Sequence, residues 1–149
     1  MIQRIQSLYI FMTLVVISLF FFLPIAEIKI PSTGQDLVFY VRGIISEGEL
    51  ATSQLPLMIL LIIIQVVELL ALFSFKKRVA QIRLLLFNVV LLLGSYALIY
   101  INTYFIYSDS IIAPKMYIAF PLIAAIFNIM AASKVKKDIN LLKSADRIR

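Results

Sequence analysis

The chain contains no cysteine, no histidine and no tryptophan. Without cysteine there are no disulfides, no thiol nucleophile and no S-acylation site, and thiolate-ligated metal centres are excluded. Without histidine the commonest acid–base residue is gone, along with most zinc and haem ligand sets. Without tryptophan, any aromatic belt at a membrane surface has to come from tyrosine and phenylalanine. Charge is also sparse. Only 15% of the 149 residues are charged and only eight of them are acidic, so seven of those eight can be read as lying in loops or a tail, with Glu68 as the exception. No cofactor and no metal site is expected from such a set. An enzyme is not expected either, because paired carboxylates and acid–base partners are missing.

What fills the chain instead is apolar. Its composition is 62% hydrophobic, with a mean hydropathy of +1.02, far above that of an ordinary water-soluble domain. One core of this size cannot hide so much apolar surface, so lipid is the expected solvent. Four apolar runs recur, at residues 5–26, 55–75, 84–107 and 116–133. Each is about 20 residues, the length that crosses a roughly 30 Å hydrocarbon layer as a helix. The first run is too long for the core of a cleaved signal peptide, and Pro24-Ile25-Ala26 is a poor cleavage site. The pattern predicts an all-α integral membrane protein. It has one domain, residues 1–149, with four transmembrane helices and both termini on the cytoplasmic side.

The opening phrase MIQRIQSLYIFM, Met1 to Met12, resembles the start of a Bacteroidetes family of small four-helix inner-membrane proteins. Members of that family begin MIQRIQ-x-LYL. Ile10 stands here where leucine is more usual. The resemblance implies the same architecture along the whole chain and a bacterial inner-membrane location. It implies no activity, cofactor or catalytic residue.

Between the first two runs, residues 27–54 form the longest non-membrane stretch. Two β-like pieces, 27–30 and 37–42, flank the turn residues Pro31-Ser32-Thr33-Gly34-Gln35, which predicts a small extracytoplasmic hairpin. Gly43 and Gly48 mark further turns, and Glu47-Gly48-Glu49 reads as an exposed acidic tip. The second and third runs are joined by a basic loop, with Lys76, Lys77, Arg78 and Arg83. No glycine-rich phosphate cradle accompanies these charges, so they read as anchors. Residues 108–115 read as a short outer loop. Pro121 inside the fourth run predicts a kink unless the helix starts later. The tail, residues 134–149, carries Lys134, Lys136 and Lys137 among its six basic residues. Val135, Ile139, Leu142 and Ala145 fall at helical spacing there, which predicts an amphipathic extension resting on anionic headgroups.

Basic residues set the orientation. Arg4, the 76–83 segment and the tail hold eleven of the 14 lysines and arginines. Lys29, Arg42 and Lys115 remain on the other side, with most of the acids. The positive-inside rule therefore places both termini in the cytoplasm. The net charge of +6 is a membrane address, and no nucleic-acid partner is expected.

Two constellations lie within the runs. Tyr96, Tyr100, Tyr104 and Tyr107 follow spacings that share one helical face. The outer pair suits an interfacial belt, and Tyr96 needs a hydrogen-bond partner on a neighbouring helix. Gly94-Ser95 suggests close helix contact nearby. The second constellation is polar. Glu68, Asn88 and Asn128 lie at similar distances from the cytoplasmic ends of three runs, roughly 7–12 Å inside at 1.5 Å per residue. Gln65 is one turn from Glu68. A carboxylate within a span costs about 2.5–3.5 kcal/mol on insertion scales unless it is paired, protonated or wetted. The expectation is an interhelical polar clasp in a non-catalytic subunit that packs against other membrane subunits and stabilises or regulates a larger complex. The alternative is a small proton- or cation-coupled transporter that uses Glu68.

Overall fold

A computed structural model of the chain describes residues 3–31, 34–46, 49–105 and 110–146. Four helices and one antiparallel sheet make up the fold. Helix α1 spans Gln3–Phe20, α2 Leu55–Phe73, α3 Arg78–Tyr100 and α4 Phe120–Asp146. Strands β1 (Ala26–Ile30), β2 (Gln35–Tyr40), β3 (Gly43–Ser46) and β4 (Glu49–Ser53) lie between α1 and α2, and β5 (Ile111–Pro114) lies between α3 and α4.

The all-α expectation is therefore wrong: the fold is mixed, with helices and a sheet. The expected hairpin is the β1–β2 pair of a five-stranded sheet, ordered β4-β3-β2-β1-β5. The outer loop at 108–115 is not a bare connector, because β5 adds to the free side of β1, with Ile28 opposite Ile112. Alternation explains why these segments form a sheet. Ala26, Ile28, Leu37, Phe39 and Ile44 point to one face and are buried, with Ala26 opposite Phe39, Ile28 opposite Leu37 and Phe39 opposite Ile44. These residues share one buried apolar cluster with Leu57, Leu61, Ile64 and Ile99 of the helices. Removing one such Ile or Phe side chain from water contributes about 1.5–3 kcal/mol. Gly43 has a steric role here: a Cβ would stand 2.3 Å from the Thr52 carbonyl oxygen of β4.

Four transmembrane helices are also too many. Among the described residues, three helical stretches are long and apolar enough to cross a membrane: Leu55–Lys76, Arg78–Tyr104 and Met116–Leu142. The apolar part of α1, Ile5–Phe20, is shorter. The first run reads as a longer span because its apolar residues continue past Phe20. The chain turns there, however, and Ile25, buried and hydrogen-bonded through its N–H to Phe39 O at 2.7 Å, belongs to the sheet.

Other boundaries move for local reasons. The basic loop shrinks to a 3-10 turn at Ser74–Lys76 followed by Lys77, so Arg78 and Arg83 lie within α3. The helix α3 passes into a π-helical turn at Ile101–Phe105. A 3-10 turn at Met116–Ala119 precedes α4. Pro121 thus falls in the first turn of α4, where its missing N–H has no intrahelical acceptor to lose, and it does not kink the helix. Pro56 starts α2 in the same way. The tail extends the last helix, since α4 continues without a break to Asp146.

The helices have unequal reach. Measured from the level of Glu68, α1 and α4 extend roughly 10–12 Å towards the sheet, whereas α2 and α3 extend roughly 18–20 Å. The sheet fills this step. It follows α1, leads into α4, and leans on the first turns of α2 and the last turns of α3. The starting end of α1, the α2–α3 turn and the finishing end of α4 lie together at the opposite end of the molecule.

Candidate functional site

One stripe of each helix faces inward, and each stripe contains a polar residue at the same level. On α2 the buried stripe is Leu57, Leu61, Ile64, Val67, Glu68 and Ala71. On α3 it is Gln81, Leu85, Asn88, Leu92, Ser95 and Ile99. Alanines 124, 125, 131 and 132 flank Asn128 on α4 and allow close helix approach. Ile10, Thr13 and Ile17 supply the α1 seam.

These stripes bring Glu68, Asn88 and Asn128 together. Asn88 Nδ2 donates to Glu68 Oε2 and lies 3.3 Å from the Ile64 carbonyl oxygen. Asn128 Nδ2 donates to the same Oε2 at 3.0 Å. Thr13 Oγ1 donates to Asn128 Oδ1 at 3.3 Å, which joins α1 to the cluster. Glu68 is 1% exposed, and Asn88, Asn128 and Thr13 are fully buried. Two acceptors in the cluster, Glu68 Oε1 and Asn88 Oδ1, have no hydrogen-bond partner among the described residues.

Gln65 does not join them. It faces α1, where its Nε2 donates to Ser18 Oγ at 2.9 Å and to Leu14 O at 3.3 Å. One turn along a helix places two residues near each other without guaranteeing a shared neighbour. Thr13 is the member that sequence reasoning missed. The spacing Gln6, Ile10, Thr13, Ile17, Phe20 marks one inward seam and contains the signal.

Asp138 is the second correction. Glu68 is not the one buried acid, because Asp138 in the α4 tail is 6% exposed and accepts a hydrogen bond from Gln6 Nε2. Asp138 is three residues beyond the buried Val135, on the same face. This pair explains the polar first turn of α1: Gln6 fastens the start of α1 to the end of α4. The anchors Lys76, Lys77, Arg83, Lys134, Lys136 and Lys137 are exposed at this same end, and Arg78 is half-buried. The Arg4 side chain lies outside the described residues.

The tyrosine face divides. Tyr96 Oη donates to Ile118 O at 2.7 Å and accepts from Leu122 N at 3.2 Å, so it holds the first turn of α4. Tyr100 and Tyr104 stack with ring centroids 5.1 Å apart and border a cavity of about 230 Å³ closed by Ile112, Pro114 and Ile118. Tyr107, Asp109 and the Glu47-Gly48 tip lie outside the described residues. Gly94 does not serve close helix contact, since a Cβ there would meet nothing within 4 Å.

At the sheet end, the charges pair. Lys115 Nζ lies 2.6 Å from Glu27 Oε1 and ties β1 to the residue after β5. The lysine holds the Glu27 carboxyl below its ordinary value of 4.5, by hydrogen bond first and by charge second. Lys29 lies 3.9 Å from Asp36.

The arrangement at Glu68 can specify which helix faces meet. It has no second acid or base beside it for proton transfer, and among the described residues no three acidic side chains gather to hold a metal.

Residues 2–148 match the family described as a domain of unknown function, DUF4293. The chain belongs to the DUF4293 family. No curated protein and no solved structure matches it. In this DUF4293 chain the mixed helix-and-sheet fold and the buried Glu68–Asn88–Asn128–Thr13 network are the features from which function has to be argued.

Proposed function

We propose that the chain is a small, non-catalytic membrane subunit that packs against a larger membrane complex and stabilises or regulates it. Its place is the inner membrane of a bacterium, of the Bacteroidetes if the opening motif is a guide. The basic end, with both termini, faces the cytoplasm, and the sheet lies on the opposite side. Anionic headgroups meet Lys76, Lys77 and the α4 lysines there.

One observation carries this reading. The sheet face turned away from the helices bears an apolar row across three strands: Val38 opposite Ile45, and Ile45 opposite Leu50. Val38 and Ile45 are half-buried, and Leu50 is 59% exposed. A face in water gains nothing from such a row, whereas a face covered by another protein does. Glu27, Lys29 and Asp36 share that face and form a charged border, the polar rim that surrounds many protein contacts.

A photo-crosslinking residue in place of Ile45, activated in intact cells, tests the proposal. Crosslinks to one defined membrane protein, absent when the residue replaces lipid-facing Val90, are the expected result. Equal labelling from both positions would remove the docking surface.

A second reading has its own observation. Glu68 Oε1 and Asn88 Oδ1, without a hydrogen-bond partner among the described residues, are the atoms a transported proton or cation would use. Proton-coupled flux in liposomes that disappears in Glu68→Gln would favour it over the packing role.

A further inference from the structure

We infer that the cleft between α1, α2 and the β2–β3 turn binds one anionic phospholipid. The cleft exists because α1 stops short. Its last turn, and Phe21 and Phe22 beyond it, end beside the middle of α2, and the sheet bridges the space above. Arg42, Ser18, Phe21, Phe22 and Gln65 line the resulting volume of about 380 Å³. Arg42 stands at the β2–β3 turn, where its carbonyl accepts from the Gln54 N–H at the start of α2. Gln65 is ten residues into α2, roughly 15 Å further along the helix. The cleft therefore runs from the aqueous sheet towards the hydrocarbon layer.

Its chemistry changes along that length. A cation stands at the sheet end. Two of the three basic residues on the sheet side have a carboxylate of their own, Lys115 with Glu27 and Lys29 with Asp36. Arg42 has none among the described residues; it is exposed and lines the cleft. A guanidinium matches a phosphate with two parallel N–H donors. Ser18 and Gln65 bond to each other through Gln65 Nε2, which leaves the serine O–H and the glutamine carbonyl as a polar pair at the deep end. Phe21 and the 70% exposed Phe22 lie between that pair and Arg42 and give an acyl chain an apolar wall. A soluble phosphate would use the arginine and leave the apolar walls against water. A neutral lipid would use the walls and leave the arginine unpaired. An anionic phospholipid uses both.

Native mass spectrometry of the detergent-purified chain tests this. The protein is titrated with phosphatidylglycerol or with phosphatidylcholine of the same acyl chains. Retention of one phosphatidylglycerol in preference to phosphatidylcholine is expected. Arg42→Gln should lower that retention about fivefold, the share of one basic residue at a lipid surface. Phe22→Ala, at an exposed position that leaves the fold intact, should lower retention of both lipids. Lys29→Gln should change nothing, because that lysine is paired. Equal retention of the two lipids, an unaltered Arg42→Gln, a matching loss in Lys29→Gln, or full competition by inorganic phosphate would each overturn the assignment.

Discussion

Asn128 on α4 donates a 3.0 Å hydrogen bond to the Glu68 carboxyl on α2, across the centre of the helices. The same oxygen accepts from Asn88 on α3. One atom thus fixes the relative rotation of three helices. Glu68→Gln keeps a carbonyl for both asparagines and adds an N–H2 for Asn88 Oδ1, so melting in detergent should stay close to that of the parent. Glu68→Leu leaves both amides without their acceptor, and unsatisfied buried groups cost about 1–3 kcal/mol. Leucine should therefore lower the melting temperature well below that of the glutamine variant. Equal melting of the two variants would mean that the contact does not hold the helices.

Thr13 and Gln65 should behave differently in double-mutant cycles. Thr13→Val removes the hydroxyl that donates to Asn128 Oδ1, and should couple to Asn128→Leu by about 0.6 kcal/mol, the measured average for interhelical hydrogen bonds. Gln65→Leu breaks contacts with Leu14 and Ser18 and should be additive with Asn128→Leu. Unfolding free energies of the three single and two double variants decide the matter.

Two glycines give a contrast within one assay. Gly43→Ala drives a Cβ into the Thr52 carbonyl, so β3 and β4 must separate and the sheet should become sensitive to protease. Gly94→Ala meets nothing and removes a weak helix former, so its melting should match or exceed that of the parent.

Acid should loosen the β1–β5 junction. Lys115 lowers the Glu27 pKa in the folded state, so the folded protein binds this proton less readily than the unfolded chain. The pair's contribution is complete above the unfolded value and is lost as pH falls through the lower folded value. Glu27 is part-exposed, so the effect is small. Protease sensitivity of the sheet should rise on acidification below about pH 4.5, and Lys115→Gln should flatten that rise.

Much of this molecule is legible in its sequence, and the rest has identifiable physical causes. Length and apolarity mark α2, α3 and α4 well, because spanning helices satisfy their own backbone groups locally. The first run misleads because composition does not register where a helix stops. Phe21, Phe22, Leu23 and Ile25 are as apolar as a span, yet they lead into a sheet. The β1–β2 hairpin is visible because its partners are adjacent in sequence. Strand β5 is not, because Ile111–Pro114 becomes a strand only by pairing with residues more than 80 positions earlier. Within the site, depth counting brings Glu68, Asn88 and Asn128 to one level, while the rotation of each helix separates Gln65 from them and adds Thr13. Asp138 escapes notice because a charged residue in a basic tail looks solvated until Gln6 is placed opposite it.

The proposed docking surface is the apolar row of Val38, Ile45 and Leu50 on the sheet face turned away from the helices. Native-gel migration in mild detergent, with mass spectrometry of the band, tests it most directly when the parent and Ile45→Asp are run side by side. The parent is expected to migrate within a larger assembly of constant composition, and Ile45→Asp is expected to release a folded 17.0 kDa chain. A parent that runs as a solitary, monodisperse monomer, indistinguishable from Ile45→Asp, would contradict it.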